Sequence, residues 1–289
     1  IGLTKRVEVG IQGDAKLVAE QILARLAATA GDDGRADRTS LIADTKSRWS
    51  QQLTSMDHED DDPGTDWNDR ARTRQPDRMS PRMAWRAIMS ALPKNAIISS
   101  DIGNNCAIGN AYPSFDEGRK YLAPGLFGPC GYGLPAILGA KIGQPDVPVV
   151  GFAGDGAFGI SMNEMTACGR DDWPPITMVI FRNYQWGAEK RNTTLWFEDN
   201  FVGTELALDV NYAKIADACG LKGVQVSGMD ALTDALNTAV KEQMENGVTT
   251  FIECVLNQEL GEPFRRDAMK KPVSVAGISI DDMRPQQAG

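Results

Sequence analysis

The sequence predicts an α/β fold built on a doubly wound parallel sheet, and three observations carry that expectation. Two short apolar runs, Pro148–Ala153 and Ile176–Phe181, stand a helix length apart, as buried parallel strands joined by a crossover helix do. The same alternation of strand-like and helix-like segments extends from Ala96 to Leu256. The first run turns at Gly154-Asp155-Gly156-Ala157-Phe158-Gly159 and the second ends in Arg182-Asn183-Tyr184-Gln185. Asp155 and Asn183 thus follow two parallel strands on one edge of the sheet, where open α/β sheets bind ligands.

Taken in order, Val7–Ile11 alternates like a strand. Asp14 then caps a helix from Ala15 to about Ala28, with Leu17, Val18, Ile22, Leu23 and Leu26 on one face. A strand and helix without the rest of their sheet read as the end of a middle α/β domain, residues 1–30. The chain opens on Ile1 with no signal-peptide layout, so it reads as the back part of a longer polypeptide. Residues 31–79 read as a connector wrapping over a neighbouring domain, or as a plain linker. Their apolar periodicity is lost except in a helix-like piece, Thr39–Met56, carrying Leu41, Ile42, Trp49 and Leu53.

The main domain is expected over residues 80–275, with a tail at 276–289. Ser80-Pro81 is a cap followed by a first-turn proline, opening a helix that runs to Leu92 before Pro93. Ala96–Ser100 is the next strand, with a polar loop, Asp101–Asn105, on the ligand edge. Gly125–Pro135 is a glycine-dense turn leading into a small-residue helix, Ala136–Lys141. Beyond the central strand-helix-strand unit, Tyr184–Asp209 reads as a long polar-aromatic loop and a lid. A helix at Asn211–Cys219, a strand at Gly223–Val226, a helix at Met229–Glu245 and a last strand at Thr249–Leu256 complete the pattern.

Composition narrows the function classes. Over 289 residues, 42% hydrophobic with 24% charged is a globular balance, and no apolar run approaches membrane-spanning length. A net charge of −9 argues against non-specific nucleic-acid binding, which needs a basic surface. The five cysteines, Cys106, Cys130, Cys168, Cys219 and Cys254, are odd in number and form no C-x-x-C pair, which fits a reducing cytoplasm and argues against zinc. The single histidine, His58, lies in the acidic run Asp57–Asp62 and reads as part of a solvated loop. The chemistry must then be found without histidine.

Gly154–Gly159 matches the dinucleotide pattern G-x-G-x-x-G, a weak signal alone. Arg182 would suit a 2′-phosphate, which makes an NADP-dependent reductase one reading. Against it, Asp155 puts an anion where a pyrophosphate would lie, and a cation would have to sit between them. The Asp155 carboxylate, the Asn183 amide oxygen and the main-chain carbonyl of Gln185 are three hard oxygen donors of the kind Mg²⁺ accepts beside diphosphate oxygens. The 28 positions from Asp155 to Asn183 are what one helix and one strand consume. The Gly156 and Ala157 amides, at a helix N-terminus, would meet the same diphosphate.

Gly-Asp-Gly, this gap and a terminal Asn resemble the thiamine-diphosphate motif of acetolactate-synthase-like enzymes, which implies the thiamine-diphosphate-binding fold. The resemblance gives Mg²⁺ to Asp155, Asn183 and the Gln185 carbonyl, and the cofactor to Gly103, Asn104, Asn105, Gly128, Cys130, Gly154, Asp155, Gly156, Ala157, Asn183, Gly187 and Ala188. Gly128 would offer its carbonyl to the aminopyrimidine. Cys130 would stand where a bulkier residue, often Met, holds the cofactor bent; a buried packing thiol is the other reading. The runs Phe181–Asn192 and Asn257–Pro272 are similar to the sulfoacetaldehyde acetyltransferase family. That likeness implies conversion of sulfoacetaldehyde and phosphate to acetyl phosphate and sulfite, with the cofactor as electron sink.

Both substrates are anions, so Lys190, Arg191, Arg265, Arg266, Lys270 and Lys271 are cationic candidates, each also readable as surface charge. Arg191, Arg265 and Arg266 are favoured for gripping two oxygens at once. The family takes its activating glutamate from a separate domain, usually of a partner subunit, so this chain is expected to lack it and to belong to a homodimer or homotetramer. Glu164 and Glu189 are placed on the helix after the motif and in the lid. Another acetolactate-synthase-like lyase or decarboxylase, and a non-catalytic cofactor-binding subunit, remain as alternatives.

Overall fold

A computed structural model describes residues 7–27, 35–57 and 77–259, apart from 116, 117, 119, 126 and 197–199. The chain divides into two compact units, one holding residues up to 54 and the other residues 55–264. In the first, α1 spans Ala15–Ala27, capped by Asp14, whose Oδ1 accepts from the Lys16 and Leu17 amides at 3.0 Å. Helix α2, Arg35–Asp57, starts before and ends just after the expected Thr39–Met56. The expected strand at Val7–Ile11 does not form. Alternation needs a neighbouring strand to pair with, and among the described residues Val9, 74% exposed, has none.

The second unit is a six-stranded, wholly parallel sheet in the order β2-β1-β3-β4-β6-β5. Its strands are β1 Ile97–Ser100, β2 Tyr121–Leu122, β3 Val149–Gly154, β4 Thr177–Arg182, β5 Lys222–Val226 and β6 Thr250–Val255. The helices between them are α3 Pro81–Ala91, α4 Asn104–Gly109, α5 Gly133–Gly143, α6 Asp155–Ser161, α7 Met165–Cys168, α8 Gly187–Trp196, α9 Tyr212–Ala218 and α10 Met229–Asn246. Ser80 accepts from the Met83 amide at 3.2 Å, so the expected cap of α3 is in place. Asn211 caps α9 in the same way through the Lys214 amide at 2.8 Å.

The apolar runs of β3 and β4 are continuous because both faces of the sheet are covered. Val150, Phe152, Val179 and Phe181 pack with Trp85 and Ile88 of α3 and Leu232 and Leu236 of α10. Val149, Ala153, Met178 and Ile180 pack on the other face with Leu134 and Ile137 of α5, Phe158 of α6 and Ala216 of α9. Trp85 lies 4.8 Å from the Phe152 ring and 5.4 Å from Phe181, contacts worth about 0.5–1.5 kcal/mol each beyond their burial. Its indole Nε1–H donates to the Asn105 carbonyl at 2.8 Å, tying this core to the ligand edge.

At the opposite edge, the Gln243 side chain of α10 takes over hydrogen bonds at the start of two strands. Its Oε1 accepts from the Val149 amide (2.9 Å), and its Nε2 donates to the Val149 carbonyl (2.8 Å) and to Thr177 Oγ1 (3.0 Å). Two expected loops are shorter than anticipated. Asn104 and Asn105 open α4, and most of the first half of Tyr184–Asp209 is α8. Helix α5 also starts before the expected Ala136, at Gly133. All five cysteines are free, and among the described residues no helix is long and apolar enough to cross a membrane.

Candidate functional site

The chain leaves β1 toward β2 on one side and returns as β3 on the other, so a crevice opens where the strand order reverses. One cleft lies there. It is lined by Gly103, Asn104 and Asn105 at the start of α4, by Gly128 and Cys130 ahead of α5, by Gly154–Ala157 at the turn from β3, and by Asn183, Gln185, Gly187 and Ala188 after β4. Every residue expected to meet the cofactor or Mg²⁺ is therefore gathered in one place. Ile102, Trp186 and Glu189 line it too; Glu189 sits on α8 because Ala188 to Arg191 are good helix formers, not loop residues.

Asp155 is buried at the floor. Its Oδ2 accepts from Arg182 Nη1 at 3.0 Å and from the Tyr184 amide at 2.7 Å, and its Oδ1 accepts from the Gly156 amide at 3.0 Å. Burial pushes its carboxyl up to about 6, against the lowering pull of the Arg182 charge and these hydrogen bonds. Arg182 is itself 0% exposed. Its Nη2 donates to the carbonyls of Ala207 and Val210, and its Nε lies 3.6 Å from Glu253 Oε1. It is also stacked between Tyr184, 4.1 Å from the ring centroid, and Tyr212, at 5.2 Å. Two buried carboxylates thus share one guanidinium. Arg182 faces inward and is not placed to receive a 2′-phosphate in the cleft.

Tyr184 is the only described residue other than glycine with positive φ, at 62°. This turn is held by pairing with the segment beyond α8: the Leu206 amide donates to the Tyr184 carbonyl (3.0 Å) and the Trp186 amide to the Thr204 carbonyl (2.8 Å). Backbone strain of this kind collects at ligand sites. Here it brings the Gln185 carbonyl back beside Asn183.

The inward atom of the Asn183 amide stands 3.2 Å from Gln185 O and 3.3 Å from Asp155 Oδ1. Turned one way, Nδ2 donates to both, and the amide oxygen accepts from Asn105 Nδ2 at 3.3 Å. Turned the other way, three oxygens converge with no hydrogen among them. Neighbouring oxygens around octahedral Mg²⁺, bound at 2.0–2.1 Å, stand about 3 Å apart. The residues present therefore fit such an ion. Among the described residues no group of three or more His, Cys, Asp or Glu offers an alternative.

Asp101, which sequence reading placed only as a loop residue, organises the other wall. Its Oδ1 accepts from the Ile102 and Gly131 amides (2.8 and 3.1 Å) and its Oδ2 from Gly133 N (2.7 Å). An acid directly after a buried strand was the available signal.

A model of the thiamine pyrophosphate enzymes, specifically their C-terminal TPP-binding domain, matches residues 101–254, the span that holds this cleft. The chain belongs to that family. Two relatives match nearly the whole of this chain: a probable sulfoacetaldehyde acetyltransferase of Rhizobium meliloti (strain 1021), 72% identical over 99% of this chain and 48% of the relative, and a sulfoacetaldehyde acetyltransferase of Roseovarius nubinhibens, 73% identical over 99% and 47%. The chain spans about half the length of these relatives. Among solved structures, the thiamine diphosphate-dependent 4-hydroxybenzoylformate decarboxylase of Rhodococcus jostii RHA1 matches with TM-score 0.58 and 20% identity, over 64% of this chain and 34% of that one, which shows a common fold.

Cys130 lines the cleft, and Arg191 lies beside one of its lining residues. Cys130 is half-buried, and burial, followed by the nearby charges of Asp101 and Glu189, raises its thiol above the usual value, so it stays a neutral packing group. Arg191 is 6% exposed on α8, with Nη1 3.4 Å from Asn104 Oδ1. Lys190 faces away from the cleft residues toward Glu205 and the Phe201 ring. Glu164 is exposed on the short 3₁₀ turn after α6. His58, Arg265, Arg266, Lys270 and Lys271 lie outside the described residues.

Proposed function

We propose that this chain is the cofactor-binding part of a thiamine-diphosphate- and Mg²⁺-dependent acetyltransferase that converts sulfoacetaldehyde and phosphate to acetyl phosphate and sulfite. The observation that carries the substrate choice is the near end-to-end similarity to sulfoacetaldehyde acetyltransferases; the meeting of Asp155, Asn183 and Gln185 oxygens supports the cofactor. In this reading those three residues hold Mg²⁺. The amides about Gly103, Asn104, Asn105, Gly156 and Ala157 meet the diphosphate, Gly154, Gly187 and Ala188 close around it, and Gly128 offers its carbonyl to the aminopyrimidine over Cys130. The bound cofactor supplies a nucleophilic carbon and an electron sink.

At least one of Arg191, which lies beside Asn104, Arg265 and Arg266 contacts sulfonate or phosphate; alanine at all three should raise the Michaelis constants for both. Residues 80–275 form the cofactor domain, residues 1–30 end a middle domain, residues 31–79 connect them and 276–289 are a tail. The activating glutamate comes from the N-terminal domain of a partner subunit, in a cytoplasmic homodimer or homotetramer. The test is acetyl phosphate formation by the complete protein from sulfoacetaldehyde and phosphate, with and without Mg²⁺ and thiamine diphosphate. Turnover of pyruvate in place of sulfoacetaldehyde would move the assignment to another acetolactate-synthase-like reaction. Metal-independent binding of NADPH would end it.

A further inference from the structure

The buried guanidinium of Arg182 sits between the proposed cation ligand and the sheet core. Both outward directions of Asp155 Oδ2 are filled, by Arg182 Nη1 at 3.0 Å and the Tyr184 amide at 2.7 Å. Oδ1 alone faces the inward atom of Asn183, 3.3 Å away. Arg182 cannot swing aside, because the carbonyls of Ala207 and Val210, Glu253 and the rings of Tyr184 and Tyr212 hold it on the remaining sides.

We infer that Arg182 is a positioning residue that restricts Asp155 to binding a cation through one oxygen, and so sets a preference for Mg²⁺ over Ca²⁺. Mg²⁺ takes six ligands at 2.0–2.1 Å and accepts a carboxylate through one oxygen. Ca²⁺ takes six to eight at 2.3–2.6 Å and commonly draws in both oxygens of a carboxylate. Bringing Oδ2 round to a shared ion would break its bonds to Arg182 and to the Tyr184 amide, and would leave the buried guanidinium with one carboxylate partner, Glu253, in place of two. The clamp leaves one-oxygen binding intact and opposes the larger ion. The inference rests on the cation reading of Asp155, Asn183 and Gln185.

The experiment is calorimetric titration of the complete protein with Mg²⁺ and, separately, Ca²⁺ in the presence of thiamine diphosphate. Wild type is expected to bind Mg²⁺ more tightly. In Arg182→Gln, the ratio of the Ca²⁺ to the Mg²⁺ dissociation constant should fall by about tenfold, the lower end of the change in affinity for a single ion when a group supporting a metal ligand is lost. If Arg182→Gln melts at too low a temperature to be titrated, the double variant Arg182→Gln/Glu253→Gln removes the stranded charge and is read the same way. An equal affinity of wild type for the two ions, or an unchanged ratio in a folded variant, overturns the inference. Asp155→Asn separates the levels: if it leaves uptake of both ions intact, the cation site itself is misplaced and the clamp falls with it.

Discussion

Asp101 Oδ2 accepts a hydrogen bond from the Gly133 amide at 2.7 Å, fixing the end of β1 to the first turn of α5. Because Oδ1 also takes the Ile102 and Gly131 amides, one carboxylate sets the path of the loop that carries Gly128 and Cys130. Asp101→Ala strands three main-chain donors. It should cost about 3 kcal/mol in chemical denaturation and weaken thiamine diphosphate binding. A variant with native stability and affinity would mean the loop holds its shape unaided.

Asp155 gives the metal-free protein a pH dependence with a defined sign. Its folded carboxyl titrates at about 6, above the ordinary 3.8, because of burial, so the folded state holds the proton more firmly than the unfolded state. Its contribution to stability is full below about pH 4 and is lost as pH rises through about 6. If Asp155 binds Mg²⁺ as proposed, the ion takes the place of that proton. The rise in melting temperature on adding Mg²⁺ should be small near pH 5, large above about pH 7 and absent in Asp155→Asn. A Mg²⁺ shift that ignores pH would contradict it.

A side chain at Gly156 would crowd the Trp186 indole. A Cβ there would stand 3.1 Å from Trp186 Cδ2 and 3.3 Å from Cε3, and Trp186 follows the Gln185 carbonyl directly. Gly156→Val should move the indole and weaken cofactor binding by about 1–3 kcal/mol, with a smaller loss of stability. Altered tryptophan emission in the variant, together with calorimetry, checks this; unchanged affinity would refute it.

Cys130 offers a readout free of turnover. Its raised thiol keeps it mostly protonated near neutrality, so maleimide labelling followed by peptide mass spectrometry should be slow. Because it lines the cleft, thiamine diphosphate with Mg²⁺ should slow labelling further. Labelling at the same rate with and without them would place the cofactor elsewhere.

The strands at the centre were legible because burial on both sides demands unbroken apolar runs, and β3 and β4 carry them. The Gly-Asp-Gly turn and Asn183 stood out because polar groups directly after such runs reach one edge. What stayed hidden was polar burial. Arg182 and Glu253 sit inside strands, and their mutual approach across β4 and β6 at 3.6 Å depends on strand order, which hydropathy does not encode. Helix α8 was read as a loop because Lys190 and Arg191, two of its buried residues, are charged and mask the apolar periodicity. Strand β2, two residues long, is too short to leave a pattern.

Gln243 ties α10 to the starts of β3 and β4, while Asp101, Asp155, Asn183 and Gln185 lie past the strands' other ends. The fastening and the chemistry occupy opposite edges of one sheet. Evolution can then rewrite the loops that choose a substrate without touching the joint that anchors the strands, and descendants of one ancestor can diverge in reaction while inheriting the same scaffold.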